Sequence, residues 1–237
     1  RDLFTLINFF RYQKKIKRIF FFENRFIEYH LSPYITKNKN INETIIISLY
    51  NIENIDLKKF TIFQFKKMFF LNLFFLLLKA KYCYSSTPDI DNSAFQRSVF
   101  KKTKYIYIQH SPLGLTKIYR DNAFTNFDLV QVINSFQEKD LFNISKIKNK
   151  KIKPWRGRYL FLDNKQLKIS KNKKEKIKIL VAPTWGTNFY DLNIHLKLKE
   201  NLDSNKYSIF IRPHMMSILK KKKSINDLIK NDFKISE

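Results

Sequence analysis

Two of the four histidines in this 237-residue chain stand at the ends of hydrophobic stretches that are typical of β-strands. His110 follows Tyr105–Gln109, and His214 follows Tyr207–Arg212 after one proline. In a parallel α/β sheet, ligands bind beyond the carboxyl ends of the strands, so both imidazoles would lie at a substrate site. An imidazole with a pKa of about 6.5 can accept a hydroxyl proton at cellular pH. The pattern favours acid–base chemistry; the alternative is two capping or core histidines.

Polar side chains also follow two further predicted strands. Ile177–Ala182 is followed by Pro-Thr-Trp, which brings Thr184 and Trp185 to the same kind of edge. Tyr82–Ser85 leads into three hydroxyl residues, which are Ser85, Ser86 and Thr87. These hydroxyls would either donate hydrogen bonds to a substrate or form a turn before the next proline. Arg212, beside the second histidine, can bind phosphate oxygens with two parallel hydrogen bonds.

The remaining candidates are interpreted as structural. His30 and His195 lie in helical or loop contexts and are interpreted as structural or exposed. Cys83 lies within a predicted strand, where a cysteine is usually a small buried side chain. Because it is the single cysteine, disulfide frameworks and cysteine zinc clusters are excluded. The three glycines are isolated from one another, which excludes a P-loop enzyme.

The elements that must position these side chains alternate along the chain. Short stretches rich in Ile, Val, Phe and Tyr predict strands at Arg18–Phe22, Thr44–Leu49, Tyr82–Ser85, Tyr105–Gln109, Leu129–Asn134, Ile177–Ala182 and Tyr207–Arg212. Helical spacing is clearest at Phe60–Lys79, Gln137–Phe142, Leu192–Leu202 and from Met216 to Lys222. Strands that alternate with helices predict βαβ units, a parallel sheet and an α/β fold.

The positive charge is unevenly distributed. The net charge is +26, and residues 146–178 hold fourteen Lys/Arg against two acids. Such a segment is equally typical of a solvated linker and of a surface that attracts phosphates or anionic lipid. It separates two predicted domains, residues 1–165 and 166–237, of which the second is expected to be truncated. The first and last residues indicate a piece of a longer protein.

One hydrophobic segment invites a membrane interpretation. Met68–Leu78 has 11 residues, includes one asparagine and is flanked by lysines. A membrane-spanning helix needs about 20 apolar residues, so a buried crossover helix is the better prediction. Shallow interfacial contact is the alternative, because lysines flank an aromatic face.

Five segments between residues 80 and 214 resemble, in the same order, the CDP-glycerol glycerophosphotransferase family, whose members are polymerases and primases of teichoic-acid-type surface polymers. The segments are Ser85–Asp89, Tyr105–Pro112, Phe127–Val130, Ile179–Gly186 and Ile211–His214. The Ala-Pro-Thr-Trp and strand-His-x-Pro patterns are the most specific parts. The loop after His110 departs from the family's His-Gly-x-Pro-Leu-Lys, since Ser111 replaces the glycine and the lysine is displaced to Lys117.

The resemblance implies a transferase with two Rossmann-like domains, the GT-B arrangement, that uses no catalytic metal and no cofactor. The acceptor would lie on the first domain and the nucleotide-linked donor on the second. His110 corresponds to the family's general base and His214 to the histidine at the donor phosphates. Donor binding would also involve Arg212, Thr184 and Trp185. The acceptor side would include Ser85, Ser86, Thr87 and Ser111.

The sequence therefore predicts the transfer of glycerol phosphate, or a related polyol phosphate, from a CDP-linked donor to a lipid-linked acceptor. The expected location is the cytoplasmic face of the cell membrane, as a peripheral protein on an anionic surface. A sugar transferase of the same architecture and a catalytically inactive scaffold are alternatives. A basic nucleic-acid-binding protein is the third, but lysines far outnumber arginines and no nucleic-acid-binding motif is present, so no specific nucleic acid is expected.

Overall fold

A computed structural model describes residues 1–37, 40–91, 95–163, 176–184, 188–189, 191–214, 217–218 and 234–235. The chain divides into two compact units, Arg1–Leu167 and Lys168–Glu237. Among the described residues, no helix has the length and apolar character needed to cross a bilayer. Most of Met216–Lys222, which was predicted as a helix, lies outside the described residues.

The first unit is built on a parallel sheet. Its strands are β1 (Arg18–Phe22), β2 (Thr44–Ser48), β3 (Thr61–Gln64), β4 (Tyr82–Ser85), β5 (Lys104–Tyr107), β6 (Leu129–Val132) and β7 (Lys153–Arg156). Its helices are α1 (Asp2–Tyr12), α2 (Arg25–Thr36), α3 (Met68–Leu76), α4 (Leu115–Ile118), α5 (Ser135–Ile147) and α6 (Leu160–Asp163). The strand order is β3-β2-β1-β4-β5-β6-β7, and all neighbours are parallel. The predicted α/β fold is confirmed, with Rossmann-like topology.

The order of strands reverses between β1 and β4, and this reversal places helices on both faces of the sheet. Successive side chains of β1 alternate between two hydrophobic clusters, as strand geometry requires. Ile19 and Phe21 pack in a cluster with residues of α1, α3 and α5. Phe20 and Phe22 pack with residues of α2 on the opposite face. Strands covered on both faces explain the nearly continuous hydrophobic runs in the sequence.

Helices α1 and α3 lie side by side on one face. At one end, the buried carboxylate of Asp2 accepts hydrogen bonds from the main-chain nitrogens of Lys66 (3.0 Å) and Lys67 (2.7 Å). At the other end, the Gln13 amide donates to the carbonyl oxygen of Leu77 at 3.1 Å. These contacts join the two starts and the two ends, so α1 and α3 run in the same direction and are held side by side. Helix α3 is the predicted crossover helix, with its inner side chains buried.

One prediction in the first unit is wrong, and the linker interpretation describes its segment only in part. The predicted helix at Phe60–Lys79 begins instead with the edge strand β3, because Phe63 packs on one face of the sheet and Ile62 on the other. The basic segment 146–178 is not wholly a linker, since Lys153–Arg156 forms the edge strand β7. Pro154 lies in β7. Proline is tolerated in an edge strand because one side of that strand is not paired with a neighbour.

The single thiol lies in the centre of this sheet. Cys83 is in β4, paired with Ile19 of β1 and with Tyr105 of β5. Its side chain is completely buried, and burial raises the pKa of the thiol. The prediction of a small buried side chain is confirmed.

The second unit contains a smaller parallel sheet. Its described strands are β8 (Ile177–Val181), β9 (Tyr207–Ile211) and β10 (Lys234–Ile235), in the order β10-β9-β8. Helix α7 (Ile194–Asn201) lies between β8 and β9 in sequence. Phe189 and Ile211 are buried against Val181, Ile194, Leu196 and Ile209. The sequence predicted two of these strands and did not indicate β10.

Candidate active site

His110 lies three residues beyond the end of β5, at the carboxyl edge of the sheet. Its Nδ1 atom is 2.9 Å from the hydroxyl of Tyr107, which donates to the hydroxyl of Tyr119 at 2.9 Å. The Tyr119 hydroxyl is 3.3 Å from Nε2 of His110 and 3.4 Å from Nδ1. The two tyrosines therefore fix the position of the imidazole.

The surroundings of His110 favour an uncharged ring. Burial lowers the pKa of His110 below its usual 6.5, and the main chain of Ser86 opposes this only in part. Burial also raises the pKa of Tyr107 well above its usual value and that of Tyr119 to about 12. The tyrosines stay protonated, and His110 is neutral at cellular pH. A neutral imidazole of this kind can accept a proton from a hydroxyl group.

A second imidazole, that of His30, lies next to His110, although the sequence indicated that His30 is a structural or exposed residue. It is buried on α2, with its ring 6.1 Å from the ring of His110. The Tyr159 hydroxyl donates to the carbonyl oxygen of His110 at 2.9 Å and lies 2.9 Å from Nδ1 of His30. Burial, and then the positive charge that His110 carries when it is protonated, lower the pKa of His30 to about 4. The half-exposed ring of Phe26 packs edge-on against both imidazoles.

A buried amide network holds the main chain next to His110. Gln109 donates from its side chain to the main-chain oxygen of Gln131 at 2.9 Å, and Gln131 accepts from the main-chain nitrogen of Gln109 at 3.1 Å. The Gln131 amide also donates to the hydroxyl of Tyr34 (2.7 Å) and to the carbonyl oxygen of Arg158 (3.0 Å). Both glutamines are fully buried. The network ties the ends of β5 and β6 together and fixes the point from which His110 projects.

The predicted hydroxyl residues fall into two groups. Ser85 and Ser86 are fully buried, and their hydroxyls bond within the chain: Ser86 donates to the carbonyl oxygen of Ile108 at 2.8 Å, and Ser85 accepts from the nitrogen of Thr87 at 2.9 Å. Thr87 is partly exposed and donates to a carboxylate oxygen of Glu23 at 2.9 Å. Ser111 is also partly exposed, directly after His110. The hydroxyl of Ser85 therefore belongs to the turn, that of Ser86 bonds to the main chain beyond β5, and Thr87 and Ser111 reach the surface.

The loop that follows His110 is anchored by α5. The Asp140 carboxylate accepts from the main-chain nitrogen of Leu115 at 2.8 Å, at the start of α4. The Gln137 amide donates to the carbonyl oxygen of Leu113 at 2.8 Å. These bonds fix the start of α4, and Tyr119 lies directly after this helix, beside the imidazole.

The second unit carries the other predicted site residues. Thr184 follows β8 and Arg212 follows β9, and both are exposed. The main-chain nitrogen of Arg212 donates to the oxygen of Val181 at 2.9 Å, so the two positions lie at one edge of the second sheet. His214 is exposed at the same edge, two residues further on. Trp185 lies outside the described residues. Among the described residues of the whole chain, no group of three acidic, histidine or cysteine side chains is placed to hold a metal ion.

Comparison with known proteins shows the fold. No protein-family model and no curated protein sequence matches the chain. The structure is similar to that of S. aureus MnaA in a co-structure with UDP, with a TM-score of 0.58 and 10% sequence identity. The match covers 93% of this chain and 68% of that chain. At this identity the likeness supports the Rossmann-like α/β architecture.

Proposed function

We propose that the chain belongs to a transferase that moves glycerol phosphate, or a related polyol phosphate, from a CDP-linked donor to a hydroxyl group of a lipid-linked acceptor. The neutral imidazole of His110, held by Tyr107 and Tyr119 at the carboxyl edge of the sheet, is the observation that carries the proposal. The resemblance of five segments to CDP-glycerol glycerophosphotransferases supports the choice of donor. The proposed enzyme has the two-domain GT-B arrangement and uses neither a metal ion nor an organic cofactor.

The proposed reaction needs one base and a stabilised phosphate. Nε2 of His110 accepts the proton of the acceptor hydroxyl, and the resulting oxygen attacks the phosphorus atom next to glycerol. A new O–P bond forms, the bridging P–O bond of the donor breaks, and CMP leaves with the bonding electrons. His110 then returns the proton to solvent. In such phosphoryl chemistry, rate comes mainly from positioning and from charge stabilisation.

The remaining site residues have proposed roles on the two substrates. Arg212 would bind phosphate oxygens of the donor with two N–H groups, and His214 would stabilise the charge that develops on CMP. Thr184 and Trp185 complete the proposed donor side. On the acceptor side, the partly exposed residues Thr87 and Ser111 would bind substrate directly. The buried Ser85 would shape the turn, and the buried Ser86 would hold the main chain beyond β5.

A sugar transferase with a nucleotide-sugar donor is the second candidate. The observation that favours it is the likeness to S. aureus MnaA, which was solved with UDP. The base chemistry of His110 would be the same, since an acceptor hydroxyl is deprotonated in both reactions. The two candidates differ in the group transferred and in the nucleotide released.

The donor is tested with the full-length protein, a lipid-linked acceptor and each donor in turn. CDP-glycerol is expected to release CMP and to add glycerol phosphate to the acceptor, measured by mass spectrometry of both products. Release of UDP from a UDP-sugar, with a glycosylated acceptor, would instead establish the second candidate. Reactions without acceptor are the control, because hydrolysis of the donor alone would release nucleotide too. Absence of transfer from every donor, in protein that is folded, would contradict both.

The membrane is the third proposed partner. The proposed enzyme meets its lipid-linked acceptor as a peripheral protein at the inner face of the cell membrane. The basic residues 146–178 are one proposed contact with anionic lipid, and the described part of this segment lies partly in β7. No specific nucleic acid is included in the proposal.

A further inference from the structure

Helix α1 is apolar on two faces. Its inner face buries Leu6 and Phe9 against the sheet. Its outer face carries Leu3, Phe4, Ile7 and Phe10, and all four side chains are exposed, Phe4 at 66%. Residues three and four positions apart share one face of a helix, so these side chains form a continuous stripe. A helix on the surface of a water-soluble unit would ordinarily present polar residues there.

Helix α3 carries two further exposed apolar side chains near the start of α1. At its start, Met68 and Phe69 are exposed, Phe69 at 71%. The bonds of Asp2 to the main chain of Lys66 and Lys67 bring the start of α3 next to the start of α1. We call the six exposed side chains Leu3, Phe4, Ile7, Phe10, Met68 and Phe69 the α1–α3 surface. Contiguous apolar patches of this kind mark sites of contact with a partner or a membrane.

Both ends of the α1–α3 surface are basic. Residues 1–17 contribute the cations Arg1, Arg11, Lys14 and Lys15, and residues 66–81 contribute Lys66, Lys67, Lys79 and Lys81. Lys17 is not counted, because it forms an ion pair with Glu43 at 2.6 Å. Within these two segments the single acidic residue is Asp2, which is buried. Lys79 places its Nζ atom 4.2 Å above the ring of Phe100, which is itself exposed. Apolar side chains between ends with a positive net charge match the boundary of an anionic bilayer, where headgroups are negative and the layer beneath is apolar.

We propose that the α1–α3 surface binds an anionic lipid bilayer, with α1 and α3 lying in the plane of the membrane. The two helices have 11 and 9 residues, which suits helices that lie along the interface and not ones that cross it. The phenylalanines enter the layer between headgroups and acyl chains, and the lysines contact phosphate groups. This inference adds a definite surface to the membrane contact in the proposed function. Its test needs no turnover, so the two proposals fail separately.

The apolar part is tested by co-sedimentation of the full chain with vesicles made of equal parts phosphatidylcholine and phosphatidylglycerol. The double variant Phe4→Ser, Phe69→Ser is expected to lower the partition coefficient at least about tenfold, because two buried aromatic rings are lost from the interface. Tyr29→Ser is the matched control: Tyr29 is 67% exposed, but it is on α2, which packs on the opposite face of the sheet. That variant should bind like the wild type. Circular dichroism checks that all variants are folded.

The charged part is tested with a second pair of variants. Lys66→Gln, Lys67→Gln is expected to weaken binding to the anionic vesicles by about fivefold for each lysine, and to leave binding to pure phosphatidylcholine unchanged. Lys146→Gln, Lys151→Gln removes the same charge from the exposed basic segment 146–178 and should have a smaller effect.

Three results would overturn the proposal. The first is unchanged binding of the Phe4→Ser, Phe69→Ser variant, and the second is an equal loss with Tyr29→Ser. The third is a dimer of the wild type in analytical ultracentrifugation that binds no vesicles and dissociates when the two phenylalanines are replaced, since a second copy of the chain would then cover the surface.

Discussion

His110→Ala is expected to lower kcat/KM of the full-length transferase by about 10²- to 10⁴-fold, the usual contribution of a positioned base. The neutral Nε2 atom of His110 is the proposed proton acceptor, and alanine leaves the acceptor hydroxyl without one. Transfer of glycerol phosphate or of a sugar, whichever the donor assay supports, is the measurement. In the wild type, burial lowers the pKa of His110, so activity should decline with acid only below about pH 6.5. The same decline should be absent from the residual activity of the variant.

The alanine variant also leaves a space that a small base can enter. Added imidazole is expected to restore part of the lost rate, which a merely unfolded variant would not show. Tyr159→Phe is a useful comparison, because it removes the hydrogen bond to the carbonyl oxygen of His110 and leaves the imidazole in place. Full turnover of His110→Ala would exclude this residue as the base.

The stability of the chain should fall in acid, and His30 should be a major cause. The pKa of His30 is lowered from 6.5 to about 4 in the folded chain, so between these values the unfolded chain binds a proton that the folded chain does not. The free energy of unfolding is then at its full value above pH 6.5 and falls by up to about 1.4 kcal/mol per pH unit below it. The total loss by pH 4 is about 2–3 kcal/mol, and His110 acts in the same direction.

Urea unfolding at several pH values between 7.5 and 4 measures this effect. His30→Gln keeps a polar group beside Tyr159 but cannot take up the proton, so its stability should depend less steeply on pH than that of the wild type. His214→Gln, at an exposed histidine of the second unit, is the matched control and should retain the acid dependence. Equal slopes for His30→Gln and the wild type would show that His30 is not the titrating group.

Much of the sheet could be predicted because strand signals are local. Short runs of β-branched and aromatic residues correctly located β1 and β4, for example, to the residue. The helix predicted from Phe60 to Lys79 was wrong at its start, because a short run of apolar residues interrupted by polar ones fits a strand and a helix equally well. Helix α1 was missed, since its outer face is apolar too and lacks the polar residues that usually mark the exposed side of a helix.

The neighbours of His110 could be predicted only in part. Its place beyond β5 follows from a local pattern, and Tyr107 and Tyr119 are near it in sequence. Its contacts with His30 and Tyr159 join segments that are 80 and 49 residues away, and they depend on how α2 packs on the sheet. One local signal was present: Asn24 caps α2 by accepting from the main-chain nitrogen of Ile27, and it marks the helix that carries His30.

Because Cys83 is completely buried, the rate at which a thiol reagent labels it can report local opening of the first unit. A thiolate is the reactive form of cysteine, and the buried thiol of Cys83, with its raised pKa, is closed to reagents while its face of the sheet stays covered. Its side chain packs in the cluster that α1, α3 and α5 cover, so this layer must open before an alkylating agent can reach it. The rate of labelling at this one position thus reports how often this face of the first unit opens, in a chain that carries no other thiol.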